Sequence, residues 1–139
     1  MFSSLRYSPG MDPRDEAARL EEAIGHYNDA WNAHDVDAIL RFHAPGMVFE
    51  NHTAGDRVEG ADVGPHIVGI FGRMPDLAFT GRRLYARDGL VVSEWTATAT
   101  DAAGRRIEWD GIDVFPFENG LILRKDVYST SHAPRVRDE

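Results

Sequence analysis

Asp113 stands in the run Trp109-Asp110-Gly111-Ile112-Asp113-Val114-Phe115-Pro116-Phe117. The run alternates as a β-strand does, so Trp109, Gly111, Asp113, Phe115 and Phe117 fall on one face. A carboxylate among aromatic side chains is costly to ionise, and its pKa should rise. Such a group is either well hydrogen-bonded structure or an acid poised for proton transfer. Tyr27, on an apolar helix face, is a second weakly acidic donor. With Asp113 it could stabilise an enolate or alkoxide in a dry pocket; the alternative is a carboxyl–phenol hydrogen bond that fixes helix against sheet. Asn51 could orient a water or donate to a carbonyl. His52 titrates near neutrality and could act as base, but alternation turns it outward if Asn51 points inward. Lys125 and Asp126 are neighbours on one strand, so only one of them can share an interior with Asp113. Lys125 shares its face with Val127 and Ser129, and Asp126 shares its face with Arg124 and Tyr128. Phe49, Trp95, Trp109 and Phe115 are aromatic candidates for a pocket wall, and Ser93, on the face of Trp95, could add a hydroxyl.

Other chemistries find little support. There is no cysteine among the 139 residues, which excludes thiolate nucleophiles, thiolate metal sites and disulfides. His26, His34, His66 and His132 show no metal-ligand spacing with carboxylates, so no metal is expected. No nucleophile elbow and no phosphate-binding glycine loop is present, and no cofactor is expected. A formal net charge of −8 with interspersed signs argues against nucleic acid or an anionic membrane as partner. No apolar run reaches membrane-spanning length and no signal-peptide core is evident, so a cytoplasmic location is the default expectation.

These residues need elements to hold them. Residues 1–13 read as a flexible arm, 14–131 as one domain and 132–139 as a polar tail. Leu20, Ile24, Tyr27 and Trp31 recur at helical spacing, which predicts a helix from about Asp15 to Asn32–His34. Asp35 is an N-cap for a second, short helix that Pro45-Gly46 terminates. Met47–Glu50 reads as a short strand, residues 51–60 as a loop, and Ala61–Arg73 as a third helix. From Leu77 the pattern is β: Leu77–Ala86, Leu90–Thr100, Arg105–Phe117 and Leu121–Ser129, with turns at Asp88-Gly89, Asp101–Gly104 and Glu118-Asn119-Gly120. Helices followed by a meander predict an α+β fold, a cone-shaped curved antiparallel β-sheet wrapped around N-terminal helices, whose apolar interior would suit a small apolar molecule.

Three stretches carry a family resemblance: Tyr27–Ile39, Val48–Gly60 and Gly111–Tyr128, the last reading Gly-Ile-Asp-Val-Phe-Pro-Phe-Glu-Asn-Gly-Leu-Ile-Leu-Arg-Lys-Asp-Val-Tyr. Over residues 16–130 the chain resembles the nuclear transport factor 2-like superfamily (cystatin-like α+β barrels), in particular its SnoaL-like and ketosteroid-isomerase-like members. The resemblance implies cofactor-independent acid/base chemistry of isomerase, cyclase or dehydratase type on an apolar carbonyl compound. Tyr27 and Asp113 match the oxyanion tyrosine and the protonated oxyanion aspartic acid of ketosteroid isomerases. The catalytic aspartate of those enzymes falls at Asn51, which cannot take a proton at neutral pH, so the base is unassigned, with Asp126 and His52 as candidates. Similarity to limonene-epoxide hydrolase suggests instead an Asp113/Asp126 pair, with Gly111 and Phe49 where that enzyme has arginine and tyrosine. In SnoaL-type cyclases the matching acid could be Glu108 or Asp113. A non-catalytic binding or dimerisation module is the remaining reading. The resemblance also implies a homodimer through the outer sheet face.

Overall fold

The computed structural model describes residues 10–137. Residues 1–9, most of the segment read as an arm, and residues 138–139 of the tail lie outside the described residues. Helix α1 (Pro13–Asn32) starts two residues earlier than its apolar period suggests, because Asp12 caps it by accepting from the Arg14 amide and Pro13 occupies the first turn. Its buried stripe is Leu20, Ile24, Tyr27, Ala30 and Trp31. Asp35 caps α2 (Val36–Leu40) through the Ala38 amide, as expected. A 3₁₀ turn over Gly60–Asp62 leads into α3 (Val63–Arg73), which buries Val63 and Ile67.

Seven strands form one curved sheet: β1 (His43–Asn51), β2 (Asp56–Glu59), β3 (Ala78–Arg87), β4 (Leu90–Thr100), β5 (Arg106–Glu118), β6 (Leu121–Ser129) and β7 (Arg135–Val136). The order is β2-β1-β6-β5-β4-β3, with β7 added on β5. Every pairing is antiparallel except β1 with β6, which run parallel. Asp88-Gly89 and Asn119-Gly120 have positive φ at both positions, the geometry that closes two-residue hairpins.

Three expectations are corrected. Pro45-Gly46 does not end an element before β1; it lies inside the strand, where the register with β6 shifts between His43 and Val48. An irregularity is where a strand tolerates proline. The stretch read as a loop after Asn51 contains β2, which pairs back on β1 from Val48–Glu59 to Asn51–Asp56. The polar tail contributes β7, held by Arg135 to Glu108 at 2.6 Å and to Asp110 at 2.7 Å. Exposed strand pairing of this kind is carried by side-chain charge rather than burial, and so left no apolar pattern to read.

The core fills the concave face. Ile24, Tyr27, Ile39, Ile67, Val91, Phe115 and Ile122 are fully buried, and β4 alternates buried and half-buried residues along its whole length. No described helix is long and apolar enough to cross a membrane.

Candidate active site

β5 and β6 place Asp113 opposite Val127, and β1 and β6 place Phe49 opposite Lys125. Lys125 therefore points into the cone and Asp126 points out. The Lys125 Nζ lies 4.0 Å from Asp113 Oδ2, with both side chains less than a tenth exposed. Aromatic rings complete the enclosure. The ammonium sits 3.8 Å from the Trp31 ring centre, 5.0 Å from Tyr27 and 5.1 Å from Phe49. Ring faces attract a cation, and a desolvated one most strongly, which is how this fold tolerates a buried lysine.

Burial lowers the Lys125 pKa to about 8, against the opposing pull of the Asp113 charge. The same burial raises the Asp113 carboxyl above the carboxylate range, and Lys125, then the Trp95 indole, hold it down in part. Trp95 does not reach hydrogen-bonding geometry with it. Among the described residues, four buried side-chain polar atoms lack a hydrogen-bond partner: Asp113 Oδ1, Ser93 Oγ, Trp31 Nε1 and Trp95 Nε1. Ser93 is directly across the strand pair from Asp113, and Trp31 and Trp95 face the same cavities. Leaving buried polar groups unpaired costs stability, and such costs concentrate where a ligand is meant to satisfy them.

Two cavities meet at this pair. Trp31, Phe79, Trp95, Asp113 and Lys125 line both. The cavity of about 290 Å³ runs toward Asn51, Ile107 and Trp109, and the cavity of about 490 Å³ lies between α1 and β3. Asn32 fixes their shared wall: its amide donates to the Phe79 carbonyl at 2.9 Å and accepts from the Phe79 amide at 2.7 Å. Gly111 fixes Trp95. A Cβ at Gly111 would overlap the six-membered ring of Trp95, which sits against the cross-strand glycine. Gly111→Ala should therefore cost about 1–3 kcal/mol in urea unfolding and shift the near-ultraviolet circular dichroism of the displaced indole. A stability equal to wild type would mean that the ring is free to move.

Several expected site residues lie elsewhere. The Tyr27 hydroxyl bonds His43 Nε2 at 3.0 Å instead of Asp113. Burial pushes this phenol well above its ordinary pKa, and burial together with the Lys125 charge lowers His43 to about 4, so that imidazole is neutral. Tyr27 thus supports the floor beneath Lys125 and Phe115 and lines neither cavity. The Asn51 Oδ1 is occupied by the Thr53 and Ala54 amides at 3.1 and 3.0 Å, an Asx turn that ends β1, although the residue borders the smaller cavity. His52, Asp126 and Tyr128 are on the outer face. His52 bonds Asp126 at 2.8 Å and stacks on Tyr128 at 4.3 Å. Arg124 binds Asp126 at 2.7 Å and Glu50 at 3.0 Å, and it holds the Asp126 carboxyl below its ordinary pKa. Glu50, His52 and Asp126 do bring three ligand atoms together, but a cation there would have to displace the Arg124 guanidinium from both carboxylates. Asp126 and Asp113 face opposite sides of the sheet, so no water can bridge them as paired-aspartate epoxide hydrolysis requires. Glu108 pairs with Arg135 and Arg137 and takes no part in the interior.

Phe49, Trp95, Trp109 and Lys125 line the cavities, while Ser93 and Phe115 are buried beside them. Trp31 was legible only as part of an apolar helix face, and Phe79 only as a residue within the strand Leu77–Ala86. Their place in the site depends on Lys125 turning inward, a question of strand phase that neighbouring residues in sequence leave open.

The sequence matches the SnoaL-like domain family over residues 24–125. The chain belongs to the SnoaL-like domain family. Solved structures show the same nuclear transport factor 2-like fold. A SnoaL-like protein from Jannaschia sp. CCS1, assigned as a polyketide cyclase, superposes with a TM-score of 0.78 at 16% identity, covering 89% of this chain and 94% of that one. TerC, crystallised with polyporic acid, gives 0.75 at 16% identity over 83% and 94%. AclR from Streptomyces galilaeus, assigned as a hydroxylase, gives 0.71 at 21% identity over 81% and 79%. No curated protein matches the SnoaL-like chain.

Proposed function

We propose that this SnoaL-like protein is a cofactor-independent enzyme that moves a proton at a carbon next to a carbonyl, in an isomerisation, cyclisation or elimination of an apolar substrate. The observation that carries the reading is the buried Asp113 Oδ1, without a partner on a cavity wall, beside the Lys125 ammonium. The Asp113 carboxylate takes the proton, the electron pair of the broken C–H bond passes to the carbonyl oxygen, and the Lys125 ammonium stabilises the resulting enolate. In an isomerisation the protonated Asp113 then returns the proton to the same or a neighbouring carbon; in a cyclisation the enolate carbon bonds to a second carbonyl carbon, whose oxygen takes the proton; in an elimination the β-substituent leaves with its bonding pair and takes the proton. This assignment moves the base from Asp126 or His52 to Asp113, and the oxyanion donor from Tyr27 to Lys125. Fold neighbours assigned as a polyketide cyclase or crystallised with polyporic acid agree with an oxygenated organic substrate. A module that only binds ligand would favour a filled cone with Asp113 locked by hydrogen bonds, and the open cavities count against it.

The test is deuterium uptake from D₂O at the α-carbon of cyclic ketones and β-dicarbonyl aromatics, followed by NMR. The protein should accelerate uptake at neutral pH. Above about 8 the rate should fall about tenfold per pH unit as Lys125 loses its proton, and on the acid side it should fall as Asp113 becomes protonated, above the ordinary carboxylate value. A rate that keeps rising through pH 9 would remove the ammonium from the mechanism.

A further inference from the structure

The larger cavity has walls that packing alone does not explain. On α1, Glu21, Gly25, Asn28 and Asp29 fall at helical spacing on the face toward β3, and Gly81 faces them from the strand. Neither glycine has positive φ, and a Cβ at either would meet no atom within 4 Å. Glycine weakens both a helix interior and a strand interior, so two such positions carry a cost that neither backbone conformation nor close packing demands. Register shows how the space arises. Gly81, Trp95 and Gly111 form one row across β3, β4 and β5. The indole lies over Gly111 and leaves the ground above Gly81 bare. The row therefore does two things: one glycine seats the tryptophan beside Asp113, and the other keeps an opening beside it.

We propose that this opening is a second subsite, which takes an uncharged, hydroxyl-bearing arm of the same substrate whose apolar body occupies the smaller cavity. The inference rests on the reading of Asp113 and Lys125 as the reacting pair, since both cavities end on them. The two cavities differ in chemistry. The smaller one is walled by Phe49, Ile70, Leu77, Ile107 and Trp109. The larger one presents Glu21, Asn28 and Asp29, whose side chains have no hydrogen-bond or ion-pair partner among the described residues. These are acceptor-rich groups, suited to hydroxyl donors. Arg82 and Arg83 border the same space, and Arg83 is already paired with Glu94 at 2.8 Å. With Arg83 neutralised by Glu94, Glu21 and Asp29 stand against Arg82 alone, so the opening holds no surplus of positive charge to select an anionic arm.

The experiment is isothermal titration calorimetry of two probes, 1-naphthol and 1-naphthyl β-glucoside, against wild type, Gly25→Leu and Gly81→Val. Wild type should bind the glucoside at least about tenfold more tightly than the naphthol. Either substitution should abolish that difference and leave naphthol binding intact. Gly25→Leu should also keep or raise the melting temperature, because leucine is the better helix former; that result separates a filled subsite from a damaged fold. The proposal is overturned if wild type shows no preference for the glucoside, including the case in which neither probe binds. It is equally overturned if the preference survives in both variants, or if naphthol binding falls in parallel. Binding needs no turnover, so loss of the acid/base reading through absent deuterium uptake would leave these outcomes distinct.

Discussion

Asp113→Asn should reduce catalysed deuterium uptake by about 10³-fold while the protein remains folded. The amide keeps the shape of the carboxyl and can still accept a hydrogen bond from a substrate hydroxyl, but it cannot take a proton. The lysine is the reason the fold should survive. Without the Asp113 charge the Lys125 pKa drops further below about 8, since the attraction to Asp113 is what opposes desolvation. At neutral pH the lysine then becomes neutral instead of remaining as an uncompensated buried charge. A structural role and a chemical role therefore diverge in the data. If Asp113 only fastens β5 to β6, the variant should lose stability and keep whatever activity its folded fraction carries. If Asp113 moves the proton, melting should change little and the rate at saturating substrate should collapse. An undiminished rate in a folded variant would sink the assignment.

The sequence made much of this architecture readable, because the signals were apolar and periodic. Leu20, Ile24, Tyr27 and Trp31 predict α1, and β4 and β6 match their expected bounds of Leu90–Thr100 and Leu121–Ser129. The Asp88-Gly89 and Asn119-Gly120 turns fix where the meander reverses. What failed was polar or irregular. β2 and β7 are short, exposed strands held by pairing and by ions, with no alternation to detect. For the site, Asp113 was visible because a carboxylate broke an aromatic alternation. Its partner was not assignable, since Lys125 and Asp126 satisfy the same local rules on opposite faces. Register decides between them. The parallel pairing of β1 with β6 sets Lys125 beside Phe49 and Asp126 beside Glu50, and that non-local contact leaves no trace in either strand alone. Tyr27 misled for a related reason: its position in the helix matches a catalytic tyrosine, but His43, sixteen residues away at the start of β1, accepts or donates at its hydroxyl.

Replacing the whole pair, Asp113→Asn with Lys125→Met, should raise stability at pH 7 by about 1–4 kcal/mol, the range seen when buried ion pairs give way to matched neutral residues. In a chain of 139 residues that is an increase of roughly 3–15 °C in Tm. Linkage gives the sign independently. Lys125 has a folded pKa of about 8 against an ordinary 10.5. Between those values the unfolded chain binds more protons than the native one, so wild-type stability rises with pH there, by at most about 3 kcal/mol in total. Below about 8 that cost is present in full. Asp113 is displaced in the opposite sense: its folded pKa is raised above the ordinary 3.8, so its native form is favoured at low pH and loses that advantage as pH climbs through the folded value. Both groups thus tax the fold between the raised Asp113 value and about 8, where the carboxylate and the ammonium coexist. Urea unfolding of wild type and double variant from pH 4 to 10.5 should show the gap narrowing as pH rises from about 8 to 10.5 and, on the acid side, as pH falls through the raised Asp113 value. A double variant less stable than wild type at pH 7 would make the pair a structural clamp. The expected gain identifies it as a charge arrangement that the fold carries at a cost, with the aromatic enclosure of Trp31, Tyr27 and Phe49 keeping that cost within reach of a small domain's stability.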